Sequence, residues 1–370
     1  MHVQSLRTGV SRFSTWLPAR LVDAVLLAGV VVAASTGFAS ILAGTASDAW
    51  VFWLHGIAGV VLVGALAAKL ARVRHRLSGS WNWTVRISVA LTVVAVLALA
   101  TGLAWTLGVV EQVGPFTGLV LHAYVGIALV PIFLVHLYSR FRTPTKQDAS
   151  RRNALKLSAT LVAGAVAWRL TRVLGPARRF TGSTERGSDD GNRFPVTSWV
   201  ADDPDPVDAA DWTLSVTGRV DERLDLDESV VLGDEGPRPS GSRTTSGDAV
   251  ATSEQRALLD CTSGWYSEHD WRGVQVGDLL DAADADPDAD WVRFTSVTGY
   301  RWSLPREEAE RALLATHVDD ARLSHGHGYP LRLVAPGRRG FQWVKWIDSV
   351  EVRDRADPAQ WVVTLVSGFD

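Results

Sequence analysis

Apolar residues follow two patterns along the chain. The first half carries long unbroken runs, at about Leu21 to Ala43, Val51 to Leu70, Ile87 to Val109 and Gly118 to Leu137. Each is long enough, as a helix rising ~1.5 Å per residue, to cross ~30 Å of hydrocarbon. A shorter run, Leu157 to Trp168, is brief for a span but has the length of a signal core. Beyond Phe194 the pattern breaks up. Short runs at Trp212 to Val216, Trp291 to Ser296, Leu331 to Val334 and Ser349 to Val352 alternate with turn residues and predict strands, while Arg306 to Ala315 predicts a helix. Gly233 to Ser253, low in apolar residues, predicts a loop, and the polar, glycine-rich Gly182 to Asn192 a linker. No repeat is evident. The expected architecture is an all-α transmembrane bundle of four or five helices over 1–148, a signal or anchor with linker over 149–192, and a strand-rich α+β domain over 193–370.

Positive charge orients the bundle. Arg7, Arg12 and Arg20 precede the first run, Arg72, Arg74, Arg76 and Arg86 join the second to the third, and Arg140, Arg142 and Lys146 follow the fourth. The loops near Asp48 and Glu111 have neither Lys nor Arg, so the positive-inside rule puts the amino terminus in the cytoplasm and those loops outside. The net charge of -3 conceals unlike halves: residues 1–175 carry 16 basic and 4 acidic groups, the rest 21 and 36. An acidic, lysine-poor second half resembles adaptation to high salt and disfavours nucleic-acid binding.

Two histidines interrupt the apolar runs at matching depth. His55 and His122 lie about five or six residues in from the outer ends of the second and fourth helices, which run the same way. A b-type haem bridged by histidines on neighbouring helices needs that placement. An interfacial histidine bonded to a loop, or a proton-relay residue, fits it too. Gly56, Gly59 and Gly126 would let a flat macrocycle approach the backbone. His136 returns to the face of His122 ~21 Å deeper, a spacing similar to that of di-haem cytochromes b. Its level partner on the second helix is Lys69, and His75 lies in a basic loop on the opposite face, which favours one haem over two.

Cys261 is the only cysteine, which excludes an intramolecular disulfide and four-cysteine metal sites. A one-point soft metal ligand, a nucleophile or an inert buried thiol remain. It lies in Leu259-Asp260-Cys261-Thr262-Ser263-Gly264-Trp265, followed by Trp271-Arg272-Gly273-Val274 and Asp278-Leu279-Leu280. Farther on come Ser296-Val297-Thr298-Gly299-Tyr300, then His327-Gly328-Tyr329-Pro330-Leu331-Arg332-Leu333-Val334-Ala335-Pro336-Gly337, continuing to Gly340-Phe341-Gln342-Trp343-Val344-Lys345-Trp346. In order and spacing, these stretches resemble the molybdopterin-binding domain of the sulfite oxidase family, over about Phe194 to Val352. The resemblance implies that Cys261 supplies the one protein thiolate to molybdenum and that His327, Arg332 and Lys345, with Trp343 and Val344 beside them, bind the pterin. A soft thiolate suits a sulfur-rich metal face, and fixed cations suit a phosphate. Outside the resemblance, Arg332 reads as a solvated strand charge and His327 as a turn histidine. Lys345 is one of 4 lysines against 33 arginines, kept inside the motif; His325 has no counterpart. Two departures stand out. Thr298 replaces the aspartate usual in that turn, and Thr-Ser-Gly-Trp-Tyr-Ser follows the cysteine where sulfite oxidases have substrate-binding arginines. Trp265 is instead similar to the bacterial methionine sulfoxide reductase branch.

Ser150-Arg151-Arg152-Asn153-Ala154-Leu155-Lys156 resembles the twin-arginine export signal, with Ala154 in the phenylalanine position. A basic juxtamembrane cluster would explain the arginines alone. The fourth helix ends inside, so one further crossing puts Phe194 onward outside. These expectations describe a multi-pass protein of the cell membrane with an extracytoplasmic molybdopterin domain. It would transfer an oxygen atom at molybdenum to or from a small-molecule substrate, with electrons passing through haem b to or from the quinone pool or another membrane carrier. A reductase of methionine sulfoxide or another S- or N-oxide is the alternative reaction. A non-catalytic membrane electron-transfer or sensing module is the alternative of another class.

Overall fold

The computed structural model describes residues 17–73, 82–140, 150–198, 202–208, 210–228, 231 and 252–366. Expectations resting on Arg7, Arg12, Arg74, His75, Arg76, Arg142, Lys146 and most of the loop from Gly233 lie outside the described residues. The chain divides into two compact units, Met1–Thr184 and Glu185–Asp370.

The first unit holds α1 (Ala19–Ala39), α2 (Ala49–Val73), α3 (Trp83–Thr106), α4 (Gly118–Arg140) and α5 (Arg151–Leu174). All five are long and apolar enough to cross a membrane. In lipid every backbone amide must be satisfied within its own segment, which leaves these Ala/Leu/Val runs no stable form but the helix. The twelve-residue core expected after Lys156 is in fact the middle of a 24-residue helix. Its start is capped by the Ser150 hydroxyl, which accepts the Asn153 N–H at 3.3 Å. Arg151 and Arg152 stand in that first turn, where the helix dipole disfavours cations.

Helices α1 and α2 form one hairpin, α3 and α4 a second, and α5 packs on α2. Glycine allows that last contact. A Cβ on Gly56 would come within 2.4 Å of the Trp168 ring, and one on Gly164 within 2.4 Å of Val61. Gly56, expected to make room for a macrocycle, makes room for α5 instead.

The second unit carries β1 (Thr213–Gly218), β2 (Leu224–Asp227), β3 (Thr252–Asp260), β4 (Trp265–Gln275), α6 (Val276–Ala282), β5 (Trp291–Ser296), β6 (Arg301–Pro305), α7 (Arg306–Glu310), β7 (Leu313–Val318), β8 (Ala321–Arg322), β9 (Arg332–Val334), β10 (Ile347–Arg353) and α8 (Gln360–Val366). One sheet has β4 antiparallel to β3 and β7, with β8 and β9 paired to β7. The other runs β2-β1-β10-β5-β6, parallel only between β1 and β10. A single apolar core, with Trp271, Phe294, Leu313 and Trp343 at its centre, draws on both sheets. The helix expected over Arg306 to Ala315 stops at Glu310. Leu313, Leu314 and Ala315 belong to β7, whose two-sided burial hides the alternation that marks a strand.

Candidate cofactor site

Cys261 occupies the turn of the β3–β4 hairpin. Its N–H donates to the Trp265 carbonyl (2.9 Å), and the Gly264 N–H returns to the Cys261 carbonyl (3.1 Å). That closure needs Gly264 at φ 100, outside the range of ordinary residues. The turn is anchored from beneath. Arg339 pairs with Asp260 at 2.8 Å, both nearly devoid of exposure, and donates to the Cys261 carbonyl at 3.3 Å. Beside it Gly340 lets the backbone approach: a Cβ there would lie 3.1 Å from the Cys261 Cα. Cys261 is 7% exposed, and its sulfur has the Ser263 hydroxyl at 3.0 Å.

Around it gathers positive charge. Arg332, at the start of β9, is 4% exposed, lies over the rings of Trp271 (5.3 Å) and Trp343 (6.0 Å), and donates to the His327 carbonyl at 3.0 Å. Burial pulls it down to about 10, against the charge of the Cys261 sulfur, which acts to raise it. Lys345 donates to the Ser198 hydroxyl (2.7 Å) and the Gly326 carbonyl (3.1 Å) and lies over the Trp346 ring. Burial first, then Arg332, brings it to about 7, while Asp202, Asp203 and Cys261 oppose the change. Gly328, in the left-handed region, stands between the two cations: a Cβ there would lie 3.0 Å from the Cβ of each. His327 spends both ring nitrogens, Nδ1 on the Ser324 hydroxyl (2.7 Å) and Nε2 on the Phe194 carbonyl (2.9 Å). Burial keeps it neutral, down at about 4. Val344 supplies the carbonyl that receives the Leu333 N–H.

The segment after Phe194 runs along these groups. Besides Phe194 and Ser198, Thr197 accepts the Trp265 indole N–H (3.2 Å), and the Pro204 carbonyl faces His325 (2.9 Å). Thr298, in the aspartate position of the turn, donates to Asp202, whose own carboxyl is raised by burial. A carboxylate therefore reaches that turn from another part of the chain.

A hydrogen-bonded row, Ser267–His269–Asp319, with 2.6 and 2.9 Å contacts, adjoins these groups through the His269 ring, which packs on Phe194 and Trp271. Ser267 and His269 have no exposure, which closes the hydroxyl to any substrate. Asp319 also accepts the Gly191 and Asp270 N–H groups, so the row ties the end of the linker to β4.

In the first unit the His55 and His122 rings meet, their centres 5.9 Å apart and their planes at 83°. Each Nδ1 faces a carbonyl of the preceding helix: Ala33 at 3.0 Å for His55, Ala98 at 2.9 Å for His122. A threonine hydroxyl stands beside each, Thr36 at 3.1 Å and Thr101 at 3.4 Å. With Nδ1–H donated, Nε2 keeps its lone pair, the tautomer that metal ligation requires. His136 instead lies 3.4 Å from Ser88, and Lys69 is paired with Asp23.

Residues 201–361 match the family model described as the oxidoreductase molybdopterin binding domain. The second unit carries that domain. A protein-methionine-sulfoxide reductase catalytic subunit, MsrP, of Gluconobacter oxydans is 28% identical over 40% of this chain and 49% of its own length. The oxidoreductase YuiH of Bacillus subtilis is 27% identical over 45% of this chain and 78% of its own, and the mitochondrial sulfite oxidase of Drosophila melanogaster is 29% identical over 30% and 21%. The chain thus spans about half the length of the MsrP relative.

The residues of the molybdopterin-binding domain fit a sulfur-rich, phosphate-bearing cofactor. Arg332 Nε and Gln342 Nε2 are buried without a partner among the described residues, and Cys261 acts electrostatically on both Arg332 and Lys345. Sequence reasoning named Cys261, His327, Arg332, Trp343, Val344 and Lys345, and the fold brings them into one neighbourhood. It missed Arg339 and the Thr197, Ser198 and Asp202 contacts, which join segments far apart in the chain.

Proposed function

We propose that the chain is a membrane-anchored, molybdopterin-dependent oxidoreductase whose catalytic domain is extracytoplasmic and whose electrons pass through a b-type haem to or from quinone. The observation that carries the reading is the buried Arg332, a guanidinium with an unpartnered Nε, set with Lys345 around the sulfur of Cys261. An isolated buried cation is costly, and an anionic group is what offsets it.

In this reading Cys261 holds the metal, and Ser263 shares the negative charge on its sulfur. Arg339 and Asp260 keep the cysteine turn rigid. Arg332 and Lys345 would neutralise the pterin phosphate, and neutral His327, bonded to Ser324 and to the Phe194 carbonyl, would hold the segment after Phe194 against the site. When bound, the cofactor supplies a metal that exchanges one oxygen atom with substrate for two electrons. His55 and His122 would hold the haem, each through the Nε2 left free by its Nδ1 contact, on rings that already face each other at 5.9 Å. Arg151 and Arg152, placed against the helix dipole, are retained as an export signal.

Reduction of a sulfoxide is the favoured direction. Relatives named as methionine sulfoxide reductases support it, as does the absence of arginine directly after Cys261. The sulfoxide takes up two electrons and two protons, the S–O bond breaks, and the oxygen leaves as water.

The test is metal analysis and a visible spectrum on full-length protein purified in detergent. One molybdenum and one haem b per chain are expected, with the dithionite-reduced haem reoxidised by methionine sulfoxide. Protein free of molybdenum from a host that makes the cofactor would overturn the proposal. Haem reduction by sulfite would reverse its direction.

A further inference from the structure

The first unit repeats itself in its contacts. Thr36 and Thr101, which stand beside the two facing histidines, are 65 residues apart, and His55 and His122 are 67 apart. Laying α1 on α3 and α2 on α4 in those registers superposes much more. The carbonyl acceptors Ala33 and Ala98 coincide. So do Gly37 and Gly102, whose absent Cβ atoms would lie 3.5 and 2.9 Å from the imidazoles. Gly59 and Gly126, each open to space, coincide, as do the buried Leu62 and Leu129.

The same registers carry Asp23 onto Ser88 and Lys69 onto His136. Both positions make polar contacts deeper in the bundle: Asp23 pairs with Lys69 across the first hairpin, and Ser88 meets His136 across the second. Fourteen residues make almost four helical turns, so Lys69 and His136 stand under His55 and His122 on the same faces, ~21 Å farther along. A chance interfacial ion pair would not be expected to fall on the equivalents of a serine–histidine contact on both of its helices.

We infer that the bundle is a doubled hairpin with two cofactor layers, of which the deeper is a closed site for a second b-type haem. This rests on the reading of His55 and His122 as ligands of the first. Lys69 and His136 stand at the positions from which ligands to that layer would come. The Lys69 ammonium has three N–H donors and no lone pair for iron, and Asp23 holds it in that form. The position equivalent to His136 on the first hairpin thus holds a lysine, not a second imidazole.

The test restores the pattern of the second hairpin to the first, with Lys69→His and Asp23→Ser together in the full-length protein. Haem per chain is counted by pyridine haemochrome, and the reduced b-type band is followed in a redox titration. Wild type should give one haem and one wave; the double variant should give two of each. Adding His136→Ala should return the count to one. Lys69→Met, which only removes the ion pair, should keep one haem and serves as the folding control. If the double variant loses the first haem, Lys69→His alone is scored by the same count. One haem and an unchanged wave in a folded histidine variant overturn the closed layer and leave the first haem standing. No haem in wild type overturns the ligand reading of His55 and His122, and the closed layer with it.

Discussion

Replacing Arg332 by methionine should stabilise the cofactor-free protein and abolish cofactor loading, two effects of opposite sign from one side chain. Burial brings the Arg332 guanidinium down to about 10, well below the ordinary arginine value. At about 1.4 kcal/mol for each tenfold change in proton affinity, the buried charge is disfavoured by about 3 kcal/mol. The substitution forgoes the bond to the His327 carbonyl, worth about 1 kcal/mol, and sets a thioether against Trp271 and Trp343. The balance is a gain of about 2 kcal/mol, or a melting temperature higher by ~4–8 °C for a unit of this size. The assay is a thermal melt, by tryptophan emission, of full-length protein from a host that cannot make molybdopterin. Protein from a proficient host should then hold at least about tenfold less molybdenum than wild type, a loss of ~1.4 kcal/mol or more in binding. A melting temperature lowered by several degrees, or wild-type molybdenum content, would refute the view that Arg332 is a charge kept for an absent anion.

Four further outcomes follow from the same geometry. Cys261→Ser should keep the pterin but lose turnover and change the molybdenum electron-spin signal; full turnover would remove Cys261 from the metal. Arg339→Met removes the ion pair of the buried Asp260 carboxylate, at a cost of about 3–5 kcal/mol, whereas Arg339→Lys should lose much less in the same denaturant titration. Lys345, at about 7 in the folded chain and 10.5 when unfolded, carries a buried charge only below neutrality. Proton loss from the folded form therefore comes first, and the cofactor-free protein should grow more stable as pH rises from about 7 toward 10. Lys345→Met should flatten that slope, and an equal slope in the variant would assign it elsewhere. His55→Ala or His122→Ala should remove the reduced b-type absorbance while His136→Ala keeps it, as read in a difference spectrum.

Legibility in the sequence depended on how local each cause is. The four long apolar runs became α1 to α4 because lipid leaves an apolar run only one backbone form. Helix α5 was judged short because Arg151, Lys156 and Arg169 dilute its ends, where capping and long side chains carry the helix on. Cys261, His327, Arg332 and Lys345 were legible because the site is written in contiguous stretches. Arg339 was not, since it meets Cys261 across 78 residues and no local pattern encodes that contact. The doubled hairpin escaped notice for a different reason. Between His55 and Lys69 only His55, Gly59, Leu62 and Val63 match their counterparts on α4. Apolar residues exchange cheaply in lipid, so identity fades while hydrogen-bonded contacts persist.

Gly56 follows His55 directly, and the two residues face different partners. His55 turns to His122 and Ala33, while Gly56 is the notch that Trp168 of α5 fills. The chain leaves α5 for the linker and then the second unit. In mechanical terms, the notch for α5 and the imidazole are joined by a single peptide. The segment after α5 is itself bound to the bundle, where Trp105 donates to the Gly182 carbonyl and Arg179 to the Gly44 carbonyl, so a pull on the linker meets these contacts before it reaches Trp168 and the imidazole beside its notch.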